Sequence, residues 1–134
     1  MVRLPQNVMD ALSRCKPFPL ATCSKEGVPN VAYVGALKLL DDETLLVANN
    51  FMKKTIANIE QNPVAAVVVW DPKSGESYQV KFAVEVVDSG ELFEQFRAEI
   101  KEKHPKFPVH SMLVLKPIEV YNSMYGEHAG ERIA

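Results

Sequence analysis

Turn-forming residues interrupt this chain at short intervals, and they constrain its fold more than any other feature. They stand at Pro17, Gly27, Asp41-Asp42-Glu43, Asn62-Pro63 and Gly75. Most segments between them are rich in Val, Leu, Phe and Ala and have the length of a single strand or short helix. Short strands joined by tight turns favour an antiparallel sheet, and hairpins at regular spacing are typical of a small barrel.

The pattern predicts six strands and three short helices. The predicted strands cover residues 18–24, 28–40, 44–48, 64–70, 77–87 and 111–121, and the helices follow Pro5, cover 52–61, and follow Ser89 as N-cap. The run 64–70 is apolar without interruption, so we expect both of its faces to be covered. Pro117 requires an edge or a bulge in the last strand. The polar segment after residue 121 is expected to be partly disordered.

Composition limits the class of protein. A chain of 134 residues is long enough for one domain with a real core, and we assign 1–134 to a single domain. The net charge of −2 leaves no excess of Lys and Arg for a polyanion, so we expect no nucleic-acid partner. The two cysteines form no Cys-x-x-Cys pair, which favours a reduced, cytoplasmic protein. No apolar run approaches the roughly 20 residues of a membrane span, so we expect a soluble protein.

The stretch from Asn49 to Thr55 carries the clearest chemical signal. It joins a predicted strand to a predicted helix, and Lys53, Lys54 and Thr55 stand where that helix begins. Free backbone N–H groups, the positive end of a helix dipole and cationic side chains together suit a phosphate group. A helix start also needs a polar N-cap whatever it binds, Asn49 or Asn50 can supply one, and adjacent lysines usually face solvent. Both interpretations remain open from this stretch alone.

Other chemical motifs are weak. The three histidines have no metal-ligand spacing, no hydrolase or nucleotide-binding fingerprint occurs, and no residue stands out as a general acid or base. Tyr33 and Trp70 are interpreted first as core or interface aromatics and second as platforms for a ligand. A planar ligand held mainly by backbone groups and apolar side chains would leave no sharp motif.

Five segments, 20–22, 27–29, 37–41, 49–63 and 78–81, resemble in order the FMN-binding split-barrel family. This family includes pyridoxamine-phosphate oxidases and small flavoproteins. The likeness spans about residues 5–121, and its most specific part is Lys53-Lys54-Thr55 before a helix that ends at Asn62-Pro63. The resemblance implies a mainly β protein with short helices, a six-stranded antiparallel split β-barrel that works as a homodimer with two FMN molecules between its subunits.

The resemblance also implies cofactor-binding residues. The phosphate positions match Lys53, Lys54 and Thr55. The segment along the isoalloxazine ring matches Tyr33, Val34, Gly35 and Ala36. The strand end beneath the ring matches Val47, Ala48 and Asn49, and a glutamine that approaches the ring matches Gln79.

The implied function is that of an oxidoreductase in which FMN passes hydride or electrons between a small donor and a small acceptor. The open face of the ring should lie near Tyr33, Gln79 and Trp70 of the partner subunit. The alternatives are a flavin carrier or electron-transfer module without its own substrate, and a deazaflavin-binding or haem-binding member of the same fold. Two departures argue against a vitamin B6 substrate: Tyr33 replaces a basic residue, and the C-terminal basic and histidine-containing motif is absent. Phe82 stands where small members often have glycine, so we expect it to crowd or reshape the pocket.

Overall fold

The computed structural model describes residues 1–134 and contains seven strands and three helices. In chain order these are α1 (Gln6–Arg14), β1 (Phe18–Cys23), β2 (Pro29–Val34), β3 (Leu37–Asp41), β4 (Thr44–Asn49), α2 (Lys54–Gln61), β5 (Val64–Trp70), β6 (Ser77–Val87), α3 (Glu91–Lys103) and β7 (Ser111–Asn122). No helix combines the length and the apolar character needed to cross a membrane.

The seven strands form one curled antiparallel sheet in the order β2-β1-β5-β6-β7-β4-β3. Its two edges, β2 and β3, are consecutive in the chain, so the sheet curls until its edges approach without pairing. The β1–β2 hairpin turns at Gly27, whose φ of +89° favours glycine. The predicted mainly β split barrel is therefore confirmed, with seven strands in place of six.

The extra strand arises because the predicted single strand over 28–40 is wrong. The strand is interrupted at Gly35 and Ala36. Before this break β2 pairs with β1, and after it β3 pairs with β4 at the opposite edge of the sheet. The break is held by the Ala48 N–H, which donates to the Ala36 carbonyl at 2.8 Å. Periodicity alone cannot place such a break, because the residues on both sides of it suit a strand.

The main core fills the inside of the curl. One face of α1, carrying Val8, Ala11 and Leu12, packs against inward residues of the strands such as Leu20 and Phe82. A smaller second cluster forms on the other side of β4 and β7, where Phe93, Phe96 and Ile100 of α3 cover Leu46 and Met112. The two clusters leave the remaining side of the sheet without cover from this chain.

We call that uncovered side the outward face. Its residues alternate with the core residues along five strands and include Val31, Tyr33, Ala21, Val64, Ala66, Val68, Trp70, Gln79, Lys81, Glu119 and Tyr121. On β5, Val64, Val68 and Trp70 are 41%, 40% and 60% exposed, while Val67 and Val69 between them are buried. The expectation that both faces of this run are covered is therefore wrong within a single chain.

Several local expectations have clear outcomes. Pro117 lies at a bulge, as required, because Lys81 pairs with Glu119 whereas the next residue, Phe82, pairs with Pro117. The N-cap of α3 is Gly90 with a φ of +102°, and the predicted cap Ser89 lies outside the helix.

The polar segment after β7, expected to be partly disordered, follows a defined path. It folds back beside the strand end, where the Asn122 N–H donates to the Glu131 carbonyl at 2.9 Å and the Ile133 N–H donates to the Val120 carbonyl at 2.8 Å.

Candidate functional site

A cleft of about 800 Å³ lies between edge strand β2 and the segment that joins β4 to α2. Residues 30–36 form one wall, and residues 48 and 50–55 form the other. Lys16 and Pro17 border it before β1, and His104 and Phe107 border it from the α3–β7 connection. A volume of this size lies within the range of small-molecule and cofactor sites.

The start of α2 lies in the cleft without a cap from its own chain. Its N-cap position is Lys53, which makes no side-chain capping bond, and no acidic residue stands in the first turn. Asn49 and Asn50 bond elsewhere: the Asn49 side-chain oxygen accepts from the Met52 N–H at 3.0 Å, and that of Asn50 accepts from the Val109 N–H at 3.1 Å. The first N–H groups of the helix and its positive dipole end are therefore free for an external anion.

Buried polar contacts fix this helix start against the sheet. The Asn58 amide donates to the Thr22 hydroxyl at 3.1 Å, and both side chains are buried. The Asn30 amide donates to the hydroxyl of buried Thr55 at 3.2 Å, which ties β2 to the first turn of α2. Lys53 and Lys54 project from this rigid base and are exposed. The site therefore combines a hydroxyl and backbone groups held by these contacts with two exposed cations.

The free edge of β2 supplies the second set of polar groups. The Ser24 N–H donates to the Val28 carbonyl at 2.9 Å, which marks that pair as a hydrogen-bonded pair of the β1–β2 ladder. Hydrogen-bonded pairs alternate with non-bonded ones in an antiparallel ladder, and the register places Val31 and Tyr33 in the non-bonded set. Their N–H and C=O groups therefore point away from β1, into the cleft.

The cleft has two chemically different ends. The first holds Asn30, Lys53, Lys54 and Thr55, at the start of β2 and of α2. The second lies beyond the other end of β2 and holds Lys16, Pro17, Gly35, Ala36, Ala48, His104 and Phe107. Asn30 and Val34 are separated by about 13 Å at the usual rise of a strand. We call these the lysine end and the break end of the cleft.

Apart from the Tyr33 phenol, the ionisable side chains that line the cleft are Lys16, Lys53, Lys54 and His104. The chain as a whole has a net charge of −2, so the cleft concentrates positive charge in a slightly acidic protein. His104 stacks on Phe107 with ring centroids 4.5 Å apart and an interplanar angle of 21°, and together the rings form a flat wall. These features suit an elongated ligand that is anionic and partly aromatic.

The structure brings most of the predicted site residues together. Eight of them line the cleft: Tyr33, Val34, Gly35, Ala36, Ala48, Lys53, Lys54 and Thr55. Val47 instead points into the core, and Asn49 is buried with its amide donating to the Ser111 hydroxyl at 2.9 Å. These two residues do not line the cleft. Phe82 is fully buried in the core and does not border the cleft, so the expected crowding is absent there.

Gln79 lies apart from the cleft of its own chain. It stands on β6 opposite Val68 and Tyr121, in the middle of the outward face. Tyr33 occupies the same outward face on β2 and also lines the cleft, with 77% of its surface exposed. The outward face and the cleft are therefore continuous at Tyr33.

Ten residues that line the cleft were not among the predicted cofactor-binding residues. These are Lys16, Pro17, Asn30, Phe51, His104 and Phe107, together with Val31, Ala32, Asn50 and Met52. Asn50, Phe51 and Met52 belong to the stretch already identified as a candidate anion site. No local pattern marks Lys16 or His104, because only the curl of the sheet brings them to the cleft.

Comparison with known proteins places the chain in a family. The sequence profile described as pyridoxamine 5'-phosphate oxidase matches residues 4–124. An uncharacterized protein of Methanocaldococcus jannaschii is 37% identical over 136 residues, covering 100% of this chain and 90% of the relative.

Solved structures share the fold at lower identity. An FMN-binding protein from Syntrophomonas wolfei superposes with a TM-score of 0.77 at 18% identity, covering 88% of this chain and 84% of that one. The haem storage protein HutZ from Vibrio cholerae superposes with a TM-score of 0.69 at 18% identity, covering 92% and 97%. At these identities the two structures show a common fold. The profile match and the archaeal relative together show that the chain belongs to the pyridoxamine 5'-phosphate oxidase family.

Proposed function

We propose that this protein binds FMN in the cleft, with the phosphate at the lysine end and the isoalloxazine ring toward the break end. The observation that carries the proposal is the uncapped start of α2, where Lys53, Lys54 and the fixed hydroxyl of Thr55 meet free backbone N–H groups. A phosphate dianion satisfies all of these groups at once. The FMN-binding relative of the same fold is consistent with this assignment.

The edge of β2 suits the ring of the flavin. Val31 and Tyr33 direct backbone donors and acceptors into the cleft, and the polar edge of an isoalloxazine carries the complementary acceptors and donors. When bound, FMN would supply the redox chemistry by taking up and releasing a hydride equivalent, while the chain binds and orients it. Tyr33 and Phe51 line the cleft, are 77% and 75% exposed, and would pack against the bound ring.

We also propose that the working form is a homodimer joined through the outward face. Its apolar centre, with Val31, Val68 and Trp70, is exposed in the single chain and continues into the cleft at Tyr33. A stable interface of obligate type buries above about 2,000 Å² in total and has an apolar centre. A partner on this face would complete the cleft, with Gln79 and Trp70 of the partner subunit beside the ring.

The border of the outward face has the polar character of an interface rim. The Glu119 carboxylate accepts a hydrogen bond from the Tyr121 hydroxyl at 2.7 Å. It also lies 3.6 Å from the Lys81 ammonium group and 3.8 Å from the Arg132 guanidinium. The hydrogen bond from Tyr121 and the two cations lower the pKa of Glu119, although partial burial opposes them. Charged groups at the rim of an interface fix how the two subunits align more than they increase affinity.

The proposed activity is that of a cytoplasmic oxidoreductase that passes hydride or electrons between small molecules. The cleft supports it because its size and its exposed aromatic rim leave room for a second molecule beside a bound ring. A flavin carrier without its own substrate is the competing hypothesis. It predicts that no acceptor re-oxidises the bound flavin faster than it re-oxidises free FMN.

Haem is the second candidate ligand, and His104 favours it. This imidazole lines the cleft and stacks on Phe107, and histidine is the usual ligand of haem iron in proteins. A haem storage protein has the same fold. In this alternative Lys53 and Lys54 would pair with propionate groups, and His104 would hold the iron.

One titration series distinguishes these ligands. The purified protein is titrated separately with FMN, riboflavin, a deazaflavin and haemin, with flavin fluorescence and the haem Soret band as readouts. We expect FMN to bind at least tenfold more tightly than riboflavin. Equal affinity for FMN and riboflavin would overturn the phosphate assignment. A Soret shift that disappears in His104→Ala, with no flavin binding, would establish the haem alternative.

The reaction is tested with the loaded protein. The flavin is reduced anaerobically with NADH or NADPH and re-oxidised with quinones, nitroaromatic compounds and ferric chelates. An acceptor that reacts faster with the bound flavin than with free FMN supports the oxidoreductase. The absence of any such acceptor favours the carrier.

A further inference from the structure

Lys16 is a cation at the break end of the cleft, far from the lysines that suit a phosphate. It lies just before β1, next to Pro17, and lines the cleft with Gly35 and Ala36. Lys38 and Lys81 form salt bridges with Glu99 and Glu119, whereas Lys16 forms none within the chain. It is exposed in the single chain and free to pair with a ligand.

Lys16 is too far from the lysine end of the cleft to contact a phosphate group bound there. Asn30 at the lysine end and Val34 at the break end are about 13 Å apart, which exceeds the Debye length of about 8 Å at physiological ionic strength. Lys53 and Lys54 therefore act weakly on charge at the break end. His104 is the other ionisable group there, so a ligand with negative charge at this end would meet Lys16 and His104.

We propose that Lys16 stabilises the negative charge of reduced FMN and so raises the two-electron reduction potential of the bound cofactor. This inference rests on the proposed binding of FMN with its phosphate at the lysine end. A hydride from a reduced nicotinamide adds two electrons and one proton at N5, and the nicotinamide leaves oxidised. The bound ring would then carry a negative charge over N1 and the C2 carbonyl, on its polar edge. A cation beside that edge favours the reduced form over the oxidised form.

The polar edge of β2 supports this placement. The free backbone groups of Val31 and Tyr33 lie along the path from the lysine end to Lys16. A ring that bonds to these groups would present its pyrimidine portion to β2. Lys16 lines the cleft just beyond Val34, where the neighbouring Pro17 packs against Gly35. The same ammonium would form only a weaker hydrogen bond with the oxidised ring, because that ring is neutral.

The test measures reduction potentials and affinities, and needs no substrate. FMN-loaded wild type, Lys16→Met and Lys16→Arg are equilibrated anaerobically with a reference dye, and the Kd of oxidised FMN is measured by fluorescence quenching. Lys25→Met is the matched control, because Lys25 is an exposed lysine outside the cleft. Lys53→Met provides a phosphate-end comparison.

We expect Lys16→Met to bind reduced FMN about tenfold more weakly, which lowers the potential by about 30 mV for a two-electron couple. Oxidised FMN should bind within twofold of wild type, and Lys16→Arg and Lys25→Met should keep the wild-type potential. Lys53→Met should weaken both redox forms equally. An unchanged potential in Lys16→Met, or equal weakening of both forms, would overturn this inference while leaving FMN binding intact. Failure of the wild-type protein to bind FMN would instead overturn the proposed function.

Discussion

Replacing Lys54 with methionine tests the phosphate end of the cleft most directly. Lys54 is the first residue of α2, is exposed, and makes no salt bridge within the chain. Its removal therefore costs the folded protein no internal contact, and any effect on ligand affinity reports the ligand contact itself. Methionine keeps most of the length and helix propensity of the side chain and removes only its charge.

The expected magnitude follows from the exposure of this residue. A hydrogen bond to a charged group contributes about 1.5–3 kcal/mol, and solvent screening places an exposed lysine at the lower end of that range. At 1.4 kcal/mol for each factor of ten, Lys54→Met should weaken FMN about tenfold. Riboflavin lacks the phosphate, so its Kd should change by less than twofold.

Fluorescence quenching of FMN and of riboflavin by wild type and variant gives the four affinities of a thermodynamic cycle. Lys25→Met should leave all of them unchanged, since this residue lies outside the cleft. The loss in Lys54→Met should also shrink as salt concentration rises, because the contact is screened. Equal losses for FMN and riboflavin, or no loss for FMN, would refute the assignment of the phosphate to the start of α2.

Three further predictions test the frame of the site. By light scattering, Val68→Glu on the outward face should be a monomer, and its circular dichroism should match that of wild type. Leu92→Glu on α3, where the replaced residue has the same 40% exposure, should remain a dimer. The proposed interface would be contradicted if both variants were monomers or both were dimers. Asn58→Ala leaves the buried Thr22 hydroxyl without its partner and should lower the free energy of unfolding by about 1–3 kcal/mol in a urea titration. An unchanged free energy of unfolding would show that this hydrogen bond does not anchor α2 to the sheet. The hydrogen bond from Arg14, helped by the Lys73 N–H, lowers the pKa of Asp71 from 3.8 to about 2. The ionised Asp71 carboxylate therefore stabilises the fold above about pH 4, and this stabilisation is lost as the pH falls toward 2. The stability difference between wild type and Asp71→Asn should shrink over that interval in denaturant titrations at successive pH values. A constant difference would exclude this linkage.

Short sequence motifs determined several local features of this protein. Gly27 and Asn62-Pro63 set a hairpin turn and a helix end because few other residues fit those backbone positions. The cluster Lys53-Lys54-Thr55 indicated an anion site because its cations and the helix start are neighbours in sequence. Each of these inferences needs only residues a few positions apart. The turn and the helix end lie where the sequence predicts them. The three residues of the cluster line the cleft, and anion binding there stays a prediction.

Only the tertiary structure decided the rest of the cleft. Lys16 and His104 lie far apart in the chain and meet the same cleft because the sheet curls and α3 packs on its back. The break between β2 and β3 depends on which strand each half pairs with, and both halves are equally suited to a strand. Likewise, the apolar run of β5 does not say which of its faces the chain itself covers. Local propensity and periodicity describe how a segment folds, whereas long-range packing selects what it faces.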